Sequence, residues 1–249
     1  MKPDRLPAFT RLLSSLVLAL AAFSLSAGDE PLILLDAHVD DKTVDQPLGT
    51  GGADAGEPIT VGSNLDAIVR QNADDPDNRV LELRTTDSAS TSATRFEFIE
   101  HTEVEQGRLL VSVQITVPDP DFGQASLYLR EAPGAGKRFL DLALQTSGTI
   151  NISDAAGILV ILPNAITFGQ PMLIEVMHDL DERTYDLLID GVHVVEGRAH
   201  GITDRGIGAF IVSLLNRPKF EETRVMIDDL LVAHWPADLL FAHGFEGPR

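Results

Sequence analysis

The chain consists of short apolar segments separated by clusters of turn-forming residues, and no long segment has helical periodicity. Within 109–117, alternate residues are apolar (Leu109, Val111, Val113, Ile115 and Val117), which is typical of a strand with one buried and one exposed face. Such strands without intervening helices predict an all-β sandwich or barrel. The predicted strands are Leu32–Val39, Arg79–Arg84, Thr94–Glu100, Arg108–Val117, Ser126–Arg130, Phe139–Gln145, Thr149–Ser153, Ile158–Leu162, Met172–His178, Thr184–Ile189, Val192–Val195, Gly206–Leu215 and Thr223–Ala233.

Two segments have local signals beyond alternation. Asp190-Gly191 supplies the positive φ angles of a two-residue hairpin turn, so Met172–Val195 is predicted to form a three-stranded meander. Gly206–Leu215 is apolar on both faces, as a strand covered on both sides would be.

The first 27 residues have the pattern of a signal peptide. Three basic residues precede an uncharged run from Leu12 to Ala27, which ends in small residues and is followed by Asp29 and Glu30. The run is shorter than the roughly 20 residues that a membrane-spanning helix needs. We therefore expect residues 1–27 to be removed, residues 28–236 to form one domain, and 237–249 to form a C-terminal tail. The mature protein is then secreted or periplasmic, without membrane insertion.

Charge and cysteine content exclude several function classes. The formal net charge is −19 with 38 acidic and 19 basic residues, and such a surface repels nucleic acid. The chain has no cysteine, which excludes thiol catalysis, disulfides and cysteine-ligated metal centres.

The second half of the chain resembles a known superfamily. The meander at Ile174–Gly197 is followed by GIGAFIVSL at Gly206–Leu214 and by VMIDDLLVAH at Val225–His234. This order resembles the late strands of concanavalin A-like lectin/glucanase jelly rolls, including laminin-G-like modules. The resemblance implies a two-sheet antiparallel β-sandwich in which Leu32–Asp40 pairs with the closing strand. Because that superfamily contains enzymes, lectins and structural modules, the fold implies no single function.

Glycoside hydrolases of this fold use paired carboxylates, and the best candidates here are Glu103 and Glu105, beside His101. They lie in a polar segment that leads into the Gln106-Gly107 turn, so the alternative is a solvated strand end. The carboxylate-rich strand motif of the glucanases is absent from the sequence.

Polysaccharide lyases of this fold instead pair a Tyr or His base with Arg and Gln or Asn. Tyr128 and Arg130 share a predicted strand face, and Gln145 and His178 are possible neighbours. A strand-borne Tyr and Arg pair also occurs without catalytic function.

The sequence suggests no cofactor other than a structural calcium ion. Strict alternation in the closing strand puts Asp228 and Asp229 on opposite faces, so one carboxylate faces inward or against the neighbouring sheet. Asp36 and Asp40 come from the neighbouring opening strand. Carboxylates are the ligands that calcium prefers. The alternative is that the inward carboxylate accepts backbone hydrogen bonds or pairs with Arg224. The same alternation groups Ile227 with Leu231 on one face, and Leu230 with Val232 on the other.

These observations favour a non-catalytic β-sandwich module that binds a glycan or another extracellular or cell surface. The first alternative is a polysaccharide lyase or glycoside hydrolase on the same fold. The second is a purely structural or adhesive module.

Overall fold

Two antiparallel β-sheets pack face to face and form a sandwich, which confirms the predicted fold class. The structure is a computed structural model that describes residues 30–72, 75–86, 91–121, 124–131, 138–155, 157, 159–200, 205–215 and 222–236. Within these ranges the helical elements are two short 3-10 turns, Ala53–Ala55 and Ile99–His101. The predicted signal peptide and the C-terminal tail from residue 237 lie outside the described residues.

Sheet A has eight strands, in the order β13-β12-β11-β6-β15-β4-β3, with β1 paired to the second half of β15. The strands are β1 (Leu32–Ala37), β3 (Leu65–Gln71), β4 (Arg79–Thr85), β6 (Arg108–Thr116), β11 (Pro171–Asp179), β12 (Thr184–Ile189), β13 (Val192–Ala199) and β15 (Arg224–Trp235). The pairing of β1 with β15 confirms that the opening strand joins the closing strand.

Sheet B has seven strands, in the order β10-β9-β8-β7-β14-β5-β2. The strands are β2 (Thr60–Val61), β5 (Thr91–Glu97), β7 (Gln124–Arg130), β8 (Arg138–Leu144), β9 (Ile150–Asp154), β10 (Leu159–Leu162) and β14 (Ala209–Leu215). Strand β14 comes late in the sequence but lies between β5 and β7.

All thirteen predicted strands are present, with shifts at some of their ends, whereas β2 and β3 were not predicted. Strand β3 has the sequence LDAIVRQ, in which three polar residues dilute the apolar signal. Pairing with β4 along its whole length holds it in the sheet. The Asp66–Arg84 and Arg70–Glu82 ion pairs add to this pairing across the two strands.

The hydrophobic core fills the space between the two sheets. The five apolar residues of Leu109–Val117 all belong to this core, as their alternation predicted. The opposite face of the strand is not exposed along its whole length, however, because Leu110 and Ser112 are also buried. From sheet B, Leu127, Leu142 and Phe210 face them. The meander is also confirmed, because β12 ends at Ile189 and β13 begins at Val192, with φ of 50° at Asp190 and 75° at Gly191 between them.

The closing strand departs from strict alternation, which corrects the prediction for its side chains. Its register against β6 shifts between Asp228 and Leu231, and Asp229 has a φ of 50°. This is a β-bulge, in which one extra residue is inserted and the alternation is reset. Leu230 therefore joins Ile227 in the core instead of facing away from it.

Candidate functional site

The outer face of sheet B, which is turned away from the core, brings together polar side chains from distant parts of the sequence. Tyr128 on β7 is opposite Ile211 on β14 and Asp141 on β8, and Ile211 is opposite Arg95 on β5. Because cross-strand partners project to the same face, these four residues form one row. With neighbouring strands about 4.8 Å apart, the row spans about 14 Å from Arg95 to Asp141.

A second row lies beside the first, two residues along β5, β14 and β7 and three residues along β8, where the register shifts. Glu97 on β5 and Arg130 on β7 are both opposite Ala209 on β14, and Arg130 is opposite Arg138 on β8. Ala209 has only a methyl side chain, so no large side chain of β14 stands between Glu97 and Arg130. We call the polar residues of the two rows the Tyr128 face: Arg95, Glu97, Tyr128, Arg130, Arg138 and Asp141.

Charged groups on the Tyr128 face are paired with one another. Nε of Arg95 lies 2.8 Å from Oε1 of Glu97, and the Arg138 guanidinium forms an ion pair with the Asp141 carboxylate. The Arg138 guanidinium also lies over the Tyr128 ring, with its central carbon 4.1 Å from the ring centroid, which is a cation–π contact. The side chain of Arg138 is 52% exposed, whereas Tyr128 beneath it is only 6% exposed.

Several buried polar atoms on and beside this face make no hydrogen bond within the described structure. They are Nη2 of Arg95, Oδ1 of Asp141 and Oε2 of Glu131, which follows β7. One is a donor and two are acceptors. A buried polar atom without a partner costs free energy, so these positions favour a ligand that can both donate and accept hydrogen bonds.

The structure places Tyr128 and Arg130 together on this face, but it places His178 elsewhere. His178 is on β11 and points into the core, where its ring contacts Phe139, Tyr185 and His200. It is 1% exposed, and neither ring nitrogen has a hydrogen-bond partner. Burial, with His200 as the second cause, lowers the pKa of His178 to about 3. His178 is therefore a neutral core residue at neutral pH.

A buried polar group next to His178 links the two sheets. The Asp154 carboxylate of sheet B lies 2.9 Å from Nε of Arg198 in sheet A, and the Tyr185 hydroxyl donates a hydrogen bond of 3.3 Å to the same carboxylate. Burial first, and Asp154 second, raise the pKa of Tyr185 to about 12. Tyr185 therefore stays protonated and acts as a hydrogen-bond donor within the fold.

Glu103 and Glu105 lie at the end of sheet B where β14 begins. Between them, Val104 forms an isolated β-bridge with Ile207. Both side chains pack against Gly206, where an added Cβ would come within about 3 Å of each. The two acids are therefore outside a regular strand, and Gly206 lets this segment approach β14 closely.

Of the four aspartates of the predicted calcium site, Asp40, Asp228 and Asp229 take part in hydrogen bonds within the fold, whereas Asp36 faces a separate cleft. Oδ2 of Asp228 accepts a hydrogen bond of 2.9 Å from the Asn78 amide, and Oδ1 accepts one of 3.0 Å from the backbone N–H of Asp229. Burial first, and the neighbouring Asp229 second, raise the pKa of Asp228 to about 7. Oδ1 of Asp40 accepts a hydrogen bond from the backbone N–H of Arg79.

Asp36, the fourth of these residues, faces a cleft beside β1. Its carboxylate lies 2.9 Å from Nδ1 of His38, a hydrogen bond that raises the pKa of this histidine. Both residues line a cavity of about 350 Å³ together with Asp41 and Asp54. Across the described ranges, no three histidine or acidic side chains converge in a way that could hold a metal ion. The calcium site stays a prediction.

The positions of Glu97 and Asp141 do not suit glycoside hydrolysis by a carboxylate pair. Retaining enzymes hold their two carboxyl groups about 5–5.5 Å apart, and inverting enzymes about 6.5–9.5 Å apart. The strands of these two residues are three spacings apart in sheet B, about 14 Å, and the two residues also lie in different rows of the face. Each carboxylate is also paired with an arginine on its own strand.

Comparison with known proteins shows similarity in structure but not in sequence. No protein-family model matches the chain, and no curated protein matches it. Among solved structures, a sialidase has a TM-score of 0.56 and 11% identity over 81% of this chain, which spans only 18% of that protein. The catalytic domain of a glycoside hydrolase family 131 protein from Coprinopsis cinerea has a TM-score of 0.51 and 16% identity, covering 80% of this chain and 93% of that one.

A substrate complex of a variant of the family 7 alginate lyase A1-II′ is also similar, with a TM-score of 0.52 and 9% identity. The similarity covers 80% of this chain and 97% of that one. At such identities the similarity shows the fold alone. With its two antiparallel sheets, the chain has a β-sandwich fold of the concanavalin A-like jelly-roll type, the fold that the resemblance in its late strands implied.

Proposed function

We propose that the protein binds a glycan on the Tyr128 face and does so without catalysis. One observation carries this proposal: an aromatic ring lies between guanidinium–carboxylate pairs on the outer face of a sheet. An aromatic ring offers an apolar surface for the C–H face of a sugar, and the flanking charged groups offer hydrogen bonds to its hydroxyls. The carbohydrate-active proteins among the structural neighbours support a glycan as the ligand.

The test is binding to a panel of neutral and anionic polysaccharides by affinity electrophoresis. Tyr128→Leu keeps the apolar volume against Ile211 and removes the aromatic ring, so it should abolish retardation in the gel. The control is Phe210→Leu, the same kind of change on the adjacent strand but on the core face. If the two variants bind equally well, or if the wild-type protein binds no polysaccharide, the proposal fails.

A second candidate is a polysaccharide lyase, and the shared face of Tyr128 and Arg130 favours it. In such an enzyme Arg130 would neutralise the uronate carboxylate. Tyr128 would take the proton from the carbon next to that carboxylate and return it to the glycosidic oxygen as the carbon–oxygen bond breaks and the carbon–carbon double bond forms. Lyase products contain an unsaturated sugar that absorbs in the ultraviolet. An increase in absorbance on any polyuronate, lost in Tyr128→Leu and kept in Phe210→Leu, would establish this function in place of pure binding.

We also propose that the protein is exported, with cleavage after Ala27. The order of basic, apolar and small residues in 1–27 supports export. In the part of the chain that the structure describes, no helix is long and apolar enough to cross a membrane. N-terminal sequencing of the mature protein should begin at Gly28, and a sequence that begins at Met1 would refute the cleavage.

A further inference from the structure

We propose that the Tyr128 face selects a neutral, polyhydroxylated glycan and discriminates against polyanionic ones. This proposal rests on the proposed glycan-binding function and names the class of ligand. It depends on how the charges of the face are paired, on which buried atoms lack partners, and on which side chain can move to admit a sugar.

The charges of the face do not form a free cationic patch. Arg95 is paired with Glu97 and Arg138 with Asp141, and next to the face Arg205 is paired with Glu131. Arg130, the remaining arginine of the face, also has an interaction partner within the structure. An anionic sugar would therefore have to displace a protein carboxylate from its arginine. It would do so on a chain whose formal net charge is −19, so long-range attraction does not favour its approach.

The buried atoms without partners match the hydrogen bonding of hydroxyl groups. Nη2 of Arg95 is a donor, whereas Oδ1 of Asp141 and Oε2 of Glu131 are acceptors. A sugar hydroxyl donates and accepts at the same time, so it can satisfy both kinds of atom. A carboxylate or sulfate group only accepts, and it would lie beside the like charge of Asp141 or Glu131.

Arg138 is the part of the face that can move to admit a ligand. Its side chain is half exposed, and its guanidinium covers both the Tyr128 ring and the approach to the Asp141 carboxylate. When this side chain swings outwards, a sugar ring can take its place over Tyr128, and its hydroxyls can reach Asp141. The carboxylate uncovered at that moment repels an anion and accepts hydrogen bonds from a neutral sugar.

The experiment compares one polymer in two charge states. A polyuronate and its carboxyl-reduced form share backbone and linkage but differ in charge, and the affinity of the wild-type protein for each is measured by isothermal titration calorimetry. We expect the neutral form to bind at least about tenfold more tightly. Asp141→Asn should reduce this preference towards unity, because it removes the repelling charge and keeps an acceptor oxygen.

Two further variants keep the result interpretable. The control is Asp66→Asn, which changes the partner of Arg84 on sheet A and should leave the preference unchanged. Arg138→Ala uncovers the Tyr128 ring and should keep or strengthen binding of the neutral polymer. If Asp141→Asn does not fold, by circular dichroism, Arg138→Ala decides between the two ligand classes.

Tighter binding of the polyuronate by the wild-type protein, with loss of that binding in Arg138→Ala, would overturn the neutral-ligand proposal and leave glycan binding intact. If neither polymer binds, and no polysaccharide of the panel does, the glycan-binding function itself fails.

Discussion

His178 should make the folded protein lose stability as the pH falls below neutrality. Its ring is 1% exposed and its pKa is lowered to about 3, chiefly by burial. In the unfolded chain a histidine titrates near pH 6.5. Because the folded pKa is below the unfolded one, the unfolded chain binds the proton first. Stability is therefore complete above about pH 6.5 and is lost as the pH falls towards about 3.

The magnitude follows from the width of this pH window. Each pH unit between the two pKa values corresponds to about 1.4 kcal/mol, so lowering the pH from about 6.5 to about 4 should cost about 3 kcal/mol through His178. A domain is typically stable by about 5–15 kcal/mol, so the loss is readily measurable. His200 contacts His178 and also has a lowered pKa, mainly through burial, so it contributes in the same direction.

Urea unfolding at a series of pH values measures this linkage directly. The variant His178→Leu replaces the ring with an apolar side chain in a place where neither ring nitrogen has a partner. Its free energy of unfolding should therefore fall less between about pH 6.5 and 4 than that of the wild-type protein, by about 3 kcal/mol. The control is His193→Leu, the same change at an exposed position of β13, which should follow the wild-type profile. Equal slopes for His178→Leu and the wild-type protein would refute the reasoning.

Three other predictions concern the closing strand. Ile227→Ala should lower the free energy of unfolding by roughly 2–5 kcal/mol, because it leaves a cavity in the core. A loss below about 1 kcal/mol in urea unfolding would contradict the position of Ile227 in the core. Asp228 has a folded pKa raised above its unfolded value, so its contribution to stability is complete below about pH 4 and is lost as the pH rises to about 7. Asp228→Asn should remove this loss of stability. The test compares the free energy of unfolding of the variant and of the wild-type protein across this pH range, and parallel profiles would refute the prediction. A calcium chelator should leave the Tm unchanged, because both oxygens of Asp228 already accept hydrogen bonds. A drop in Tm of the wild-type protein that is absent from Asp228→Asn would instead establish a calcium ion bound by Asp228.

The fold could be predicted to a large extent because its signals are local. Alternation over Leu109–Val117 places one face in the core regardless of what pairs with the strand. The Asp190-Gly191 pair specifies its own turn, because its backbone conformation depends on two neighbouring residues only. Strand β3 was missed because its polar residues gain their stability from β4, through ion pairs that the local sequence does not reveal.

The Tyr128 face could be predicted only in part. Tyr128 and Arg130 are two residues apart on one strand, so their common face follows from strand geometry. Asp141 lies on β8, which pairs directly with β7. Arg95 reaches the same face through β14, which is inserted between β5 and β7 although it follows β7 by about 80 residues in sequence. Alternation indicates which residues share a face of one strand, but it contains no information on which strands are neighbours. His178 shows the same limit, since its strand belongs to the other sheet and its side chain to the core.

The bulge in β15 explains the Asp-Asp pair of the closing strand through backbone geometry. Asp229 adopts a φ of 50°, a region in which aspartate is one of the few side chains found often. The extra residue lets Leu230 enter the core beside Ile227, which strict alternation would forbid. The same step turns the backbone N–H of Asp229 towards the carboxylate of Asp228, whose other oxygen is held by Asn78. One aspartate thus accommodates the positive φ, and the other accepts the hydrogen bond that the bulge makes available, so the two acids have separate structural roles in the closing strand.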